Sequence, residues 1–452
     1  MKSTSSAARL TGTASVAAVG ARTSPLRTLT WIMFAYIVVA IGRVEDVFSW
    51  LHALPVAKIV SAAAILTALR YKESLAKTTV ASLTPLKLTF AMMALATFSI
   101  LFSVLRSASL GVIEGTVLSV SVALVLIAKT ARGWPETRIL LLGLVGSAVV
   151  LGIAAMQTSI DGRAGHTSAY DPNDFAFVLD TLLPVLVTFA ITSRGSARLV
   201  YLGISFWALL TILKTHSRGG LLGLIAVAAL MLILLPKNRK GTLDLSVSAR
   251  RTCARLIVAI AIGIVAWQFL PSSAQARLGT ITTLNSDYNA NVADGGRLTI
   301  WTDTLPLILR RPWGFGAGAF STVDGMFGKG RYRAPHNTFL QALIELGVEG
   351  LILFLFTLGW TFRILARASA TPVGSAADRP GLERSAFARA LLIGLVGACV
   401  SGFFLSELYS QTIWIVVILS CVVSQSATAP ALAYRKETHS STVLESPNLN
   451  RR

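Results

Sequence analysis

The chain has 452 residues, of which 54% are hydrophobic and only 14% charged, more apolar surface than soluble cores of ordinary size can bury. Its net charge of +20 would suit a nucleic-acid binder. However, the Lys and Arg residues fall mostly between apolar runs and no nucleic-acid-binding motif accompanies them, so no nucleic-acid partner is expected. Cys253, Cys399 and Cys421 lie in or beside apolar runs without metal-ligand spacing, which argues against a disulfide framework.

In chain order, residues 1–27 are rich in Ser, Thr and Ala, with Arg9, Arg22 and Arg27 and no acid. They resemble a transit peptide in composition but read more simply as a cytoplasmic N-terminal tail. Apolar runs then predict an all-α, polytopic membrane protein of about 12 transmembrane helices. Nine spans fall within 28–271, at 28–42, 51–69, 86–105, 109–128, 138–157, 174–193, 197–213, 219–236 and 256–271. A large loop, 272–336, follows. Three more spans fall within 337–429, at 337–361, 387–406 and 411–429, ahead of a C-terminal tail, 430–452. No internal repeat is evident.

Alternate loops differ in charge. One set holds Arg70, Lys72, Lys77, Lys87, Lys129, Arg132, Arg138, Arg194, Arg198, the run from Lys237 to Arg255, and Arg363 to Arg389. The other short loops hold only Arg43, Arg106, Arg163, Lys214 and Arg218. The positive-inside bias therefore predicts both termini in the cytoplasm of a bacterial inner membrane, with the large loop outside. Within that loop, Leu298, Ile300, Trp301, Leu305, Ile308 and Leu309 recur at roughly helical spacing. This predicts an amphipathic helix on the bilayer surface, kinked by Pro306.

Four clusters on the outer side carry chemistry. Lys214-Thr215-His216-Ser217-Arg218-Gly219-Gly220 combines cations with glycines at the start of a helix, where backbone and dipole favour an anion. Border cations also snorkel to head groups, and that reading stays open. Gly295-Gly296-Arg297 places a guanidinium suited to clamping a diphosphate. The glycine-rich run Gly314-Phe315-Gly316-Ala317-Gly318 lacks the strand and acid of a dinucleotide loop, and is expected to be a flexible hinge beside a substrate groove. Finally, Arg331-Tyr332-Arg333-Ala334-Pro335-His336-Asn337 puts a histidine at the membrane border, with an intrinsic pKa suited to general base work. No G-x-S-x-G elbow or metal-ligand spacing is present.

Taken in order, Ser217-Arg218-Gly219-Gly220, Gly296-Arg297 with Trp301, the glycines of 314–318 and His336-Asn337 resemble the bacterial O-antigen ligase and Wzy-type polymerase superfamily. His336-Asn337 followed by Gly347 and Gly350, Arg218 with Leu222, and Asp171-Pro172-Asn173-Asp174-Phe175-Ala176 strengthen the resemblance, which spans roughly residues 160–360. Gly350 is followed by Leu351-Ile352 rather than small hydroxylated residues, so ligase and polymerase both remain open.

The resemblance implies a GT-C-like glycosyltransferase architecture. It also implies a glycan donor carried on undecaprenyl diphosphate and an acceptor that is lipid A core or a polysaccharide, both handled beside membrane lipid. His336 would be the catalytic base, and Arg218, Arg297, Lys214 and Arg163 would bind the donor diphosphate. His216, Trp301, Arg331, Arg333 and Asn337 would contact acceptor or lipid. Attack on the face opposite the leaving group, with His336 as base, implies inversion, and cations filling the diphosphate site imply a metal-independent transfer without a cofactor. A secondary transporter is the competing class. It would need midplane acids, for which Glu114 and Asp180 are the main candidates, and Asp180 is equally expected to be a buried partner for an arginine.

Overall fold

A computed structural model describes residues 24–51, 53–75, 84–159, 163–165, 167, 170–234, 275, 296–327, 332–370 and 378–425. The expected span 256–271, residues 1–23 of the N-terminal tail, the C-terminal tail and Arg331 lie outside these residues, whereas 24–27, expected in the N-terminal tail, open the first helix. The described chain is built from helices: α1 Ser24–Gly42, α2 Val56–Arg70, α3 Thr84–Phe98, α4 Arg106–Thr130, α5 Trp134–Gln157, α6 Pro172–Thr192, α7 Gly195–Lys214, α8 Arg218–Leu234, α9 Arg297–Thr304, α10 Phe320–Phe327, α11 Thr338–Ala370, α12 Arg379–Gly402 and α13 Gln411–Gln425.

Seven spans are long and apolar enough to cross a bilayer, α3 counting together with the 3₁₀ turn that extends it to Phe102, and Leu26–Gly42, Arg218–Leu234 and Gln411–Gln425 are shorter apolar helices. The protein is a polytopic membrane protein. The expected span 51–69 is different. Residues Ser49–Leu51 form a 3₁₀ turn, and α2 begins only after Pro55 and has 15 residues. At the helical rise it reaches about 22 Å, short of the roughly 30 Å hydrocarbon core. Proline explains the late start, because it lacks a donor for a preceding turn.

Small residues set the helix contacts. On α5, a Cβ at Gly143 would sit 2.9 Å from Ile37 Cβ, and one at Gly146 would sit 2.7 Å from Val38 Cγ2, so α1 approaches α5 closely. This is the packing expected where lipid removes the hydrophobic drive between helices. Of the long spans the most buried is α6, which packs against α5, α7, α8 and α12. Its buried Asp180 accepts a hydrogen bond from Ser401 Oγ of α12 at 3.1 Å, so a serine takes the place expected for an arginine. By contrast, α7 leaves Leu199, Leu202, Phe206 and Leu210 exposed, as a helix facing lipid tails can.

The helix α4 contains a π-helical turn, Ile113–Val117. The bulge turns Thr116 Oγ1 toward the Tyr409 carbonyl (2.9 Å) and leaves the Gly115 carbonyl to accept from Gln411 Nε2 (3.3 Å). Backbone groups freed in this way often serve connections between elements. Here they fasten the segment between α12 and α13.

Candidate active site

The expected amphipathic helix forms as two pieces. α9 runs from Arg297 to Thr304, and a 3₁₀ turn, Leu305–Leu309, takes over where Pro306 cannot donate to the α-ladder. Ile300 and Leu307 are buried with Phe315, Phe320, Val323, Leu340 and Ile344, whereas Leu298, Leu305 and Leu309 stay exposed. One apolar face therefore docks on the start of α11, and only the other is free to meet lipid. The helix α10 in the same segment was not legible from the sequence.

The glycine-rich run is a latch rather than the expected hinge. Gly347 interrupts α11 with φ 76° and ψ −172°, a conformation that L side chains rarely adopt, and so releases carbonyls from the helical ladder. Phe315 N–H donates to Ile344 O at 2.9 Å, Gly316 N–H to Glu345 O at 2.8 Å, and Val348 N–H to Pro312 O at 2.8 Å. The Glu345 carboxylate accepts from Gly318 N–H at 2.7 Å and Phe320 N–H at 3.2 Å. Ser99 Oγ accepts from Ala317 N–H at 3.0 Å, and Ser109 Oγ donates to Ala317 O at 2.7 Å. Satisfying nearly every polar group of a buried loop in this way makes it rigid.

His336 leads into α11. Its φ is 44°, and its backbone N–H donates to Ser406 Oγ at 3.0 Å. Burial lowers its pKa below the usual imidazole value, and the nearby Arg297 charge lowers it further, while Asp171 acts in the opposite sense. The imidazole is therefore neutral near pH 7 and able to accept a proton. Arg297 reaches this neighbourhood because Trp301, one turn later, is pinned. The Trp301 indole N–H donates to Pro335 O at 2.9 Å, and its ring meets Phe403 edge-on at 5.5 Å.

Arg218 opens α8. Ser217 Oγ accepts from Gly220 N–H at 3.1 Å and caps the turn. A Cβ at Gly219 would lie 3.2 Å from Phe404 Cβ, and one at Gly220 would overlap the Ala176 methyl. Only glycines let α8 start this close to α6 and the segment after α12. The His216, Arg218, Arg297 and His336 segments thus converge on one end of the bundle, around Phe403–Ser406.

Residues 203–355 match the family model described as O-antigen ligase. That stretch includes Arg218, Arg297, His336, Gly347 and Gly350. Over that stretch, about a third of the chain, the protein is similar to O-antigen ligase domains. No curated protein matches the chain.

Other predicted site residues in the matched segment and its flank occupy more defined roles. Ala164 N–H donates to Lys214 O at 3.0 Å and Arg163 Nε to Thr215 O at 3.0 Å, so the loop before α6 is paired with the turn holding buried His216. Lys214 itself is exposed, with Nζ 3.7 Å from Met156 Sδ. Asn337 Oδ1 accepts from Phe339 and Leu340 N–H, both at 2.9 Å, and so caps α11. Arg333 binds Asp324 through Nη2 (2.7 Å) and Nε (3.0 Å), with Asp303 at 3.4 Å. The Asp324 carboxylate raises its pKa through these hydrogen bonds. Its guanidinium ties α9 to α10.

Sequence reasoning missed the segment 403–410. Glu407 is buried there and hydrogen-bonds Asp174. Burial, and then the Asp174 carboxylate, push the Glu407 carboxyl well above the usual range. Two carboxyls can share a hydrogen bond only if a proton lies between them. A lone acid between two apolar runs was the available signal.

Proposed function

We propose that the protein transfers a glycan from undecaprenyl diphosphate to an acceptor hydroxyl at the periplasmic face, as an O-antigen ligase joining O-antigen to lipid A core. The observation that carries this reading is the neutral, half-buried His336 beside Arg297, both within the segment matching the O-antigen ligase family. In the proposed step the acceptor oxygen attacks the anomeric carbon and its proton passes to His336. The bond to the diphosphate breaks on the opposite face, so the configuration inverts. Undecaprenyl diphosphate leaves with the electron pair, and Arg218 and Arg297 stabilise its charge, with Arg163 and Lys214 contributing at the rim. These cations take the part a divalent metal plays elsewhere, and the reaction is metal-independent. Both termini lie in the cytoplasm, consistent with the Lys and Arg asymmetry of the loops.

The Leu351-Ile352 pair after Gly350 supports a second reading, a Wzy-type polymerase with a growing polysaccharide as acceptor. A deletion strain separates the two. Loss of capped lipid A with intact lipid-linked polymer supports the ligase, whereas single repeat units in place of long chains support the polymerase. Unchanged surface glycan in the deletion strain overturns both.

A further inference from the structure

The connection between α12 and α13 supplies no group to the proposed reaction, yet it grips the residue that does. Ser406 Oγ accepts the backbone N–H of His336 at 3.0 Å. On either side of that bond, Thr338 Oγ1 donates to Leu405 O at 2.8 Å and accepts from Glu407 N–H at 3.0 Å. Gln341 Oε1 accepts from Leu408 N–H at 3.2 Å. The connection therefore forms a clamp along the first turn of α11.

The same connection is anchored at its other side. Glu407 hydrogen-bonds Asp174, and Asp174 Oδ2 accepts the Asp171 N–H at 2.9 Å to close a capping box at the start of α6. Phe403 meets Trp301, which holds the helix carrying Arg297, and Phe404 packs on Gly219 beside Arg218. His336 needs such support. Its φ of 44° lies in the left-handed region, which is unfavourable for a residue with a Cβ and persists only where neighbours impose it.

We infer that Ser406 is a positioning residue for His336, its hydroxyl holding the left-handed backbone that presents the imidazole to the acceptor. This rests on His336 being the base. The mechanism is local. Without the Ser406 acceptor a half-buried N–H loses its partner and the φ of 44° loses its restraint, so the imidazole samples unproductive positions while the donor cations stay in place.

The test uses the full chain in nanodiscs, with the lipid-linked glycan and acceptor lipid extracted from the deletion strain. Rates are normalised to monodisperse protein, with thermal unfolding measured alongside. Ser406→Ala and Ser406→Cys, the second carrying a poor acceptor, should each lower kcat about 10-fold, the cost of roughly one hydrogen bond expressed as a rate. Donor KM should stay within about twofold because the arginines are untouched. Ser406→Thr, which keeps the hydroxyl, should recover most of the rate. Wild-type kcat in Ser406→Ala, or an equal loss in Ser406→Thr, overturns the inference while an inactive His336→Ala keeps the base assignment. An active His336→Ala overturns that assignment itself.

Discussion

Replacing Gly347 by alanine tests whether the latch is built as its geometry indicates. The added methyl would lie 2.5 Å from the Trp313 carbonyl carbon and would clash with Pro312 O. Both are backbone atoms and cannot rotate away. The φ of 76° adds left-handed strain of about 1–2 kcal/mol for a residue with a Cβ, and crowding a packed site typically costs about 1–3 kcal/mol. Together they come to roughly 2–5 kcal/mol, enough to release hydrogen bonds that are each worth about 1 kcal/mol. The bonds at risk are Phe315 to Ile344, Gly316 to Glu345 and Val348 to Pro312. Hydrogen exchange on peptides covering 312–318 should therefore accelerate in Gly347→Ala, and the thermal midpoint in detergent should fall. Gly359→Ala is the control, since nothing lies within 4 Å of its added Cβ and alanine favours a helix by about 1 kcal/mol. If Gly347→Ala matched Gly359→Ala in both exchange and midpoint, the latch would not restrain the loop.

Three further outcomes follow from the site. Because burial and Arg297 lower the His336 pKa, the basic form persists to lower pH, and the acid limb of kcat/KM should fall below pH ~6.5, the usual imidazole value. Arg297→Gln removes a charge that opposes protonation and should move that limb to higher pH, whereas Asp171→Asn should move it lower; an unmoved limb in both would separate His336 from these charges. Arg218→Ala should raise donor KM or lower kcat, and Arg218→Lys should restore only part of the loss because an ammonium cannot make two parallel bonds; full rescue by lysine would remove the bidentate role. Transfer should survive chelator, and an absolute requirement for added Mg²⁺ would refute the metal-free account.

Much of this molecule was readable locally. Hydropathy is a property of a window of residues, so among the described residues the apolar spans emerged in order, and Pro55 gave the second helix a later start than expected. The 3₁₀ turn at Pro306 was likewise written in the proline itself. The motif residues Arg218, Arg297 and His336 could be picked out by their chemistry and order, and they fall in the segment that matches the ligase family.

Residue identity did not reveal which side chains were already occupied. Arg333 read like a substrate-binding cation, yet its guanidinium is spent on Asp324 and Asp303. Asn337 was expected to contact acceptor or lipid, and its side-chain oxygen caps a helix. The glycines of 314–318 suggested freedom because the break at Gly347, which supplies their hydrogen-bond acceptors, lies some thirty residues away.

By itself, the sequence determined that the chain is a membrane protein of many helices, and which arginines and histidine stand at their ends. Composition and short-range pattern suffice for that, since each helix satisfies its own backbone. The tertiary structure alone decided that Phe403–Ser410 closes on His336, with Ser406 reaching a residue 70 positions earlier. No local pattern encodes such a contact, because it exists only once α6, α11 and α12 have packed.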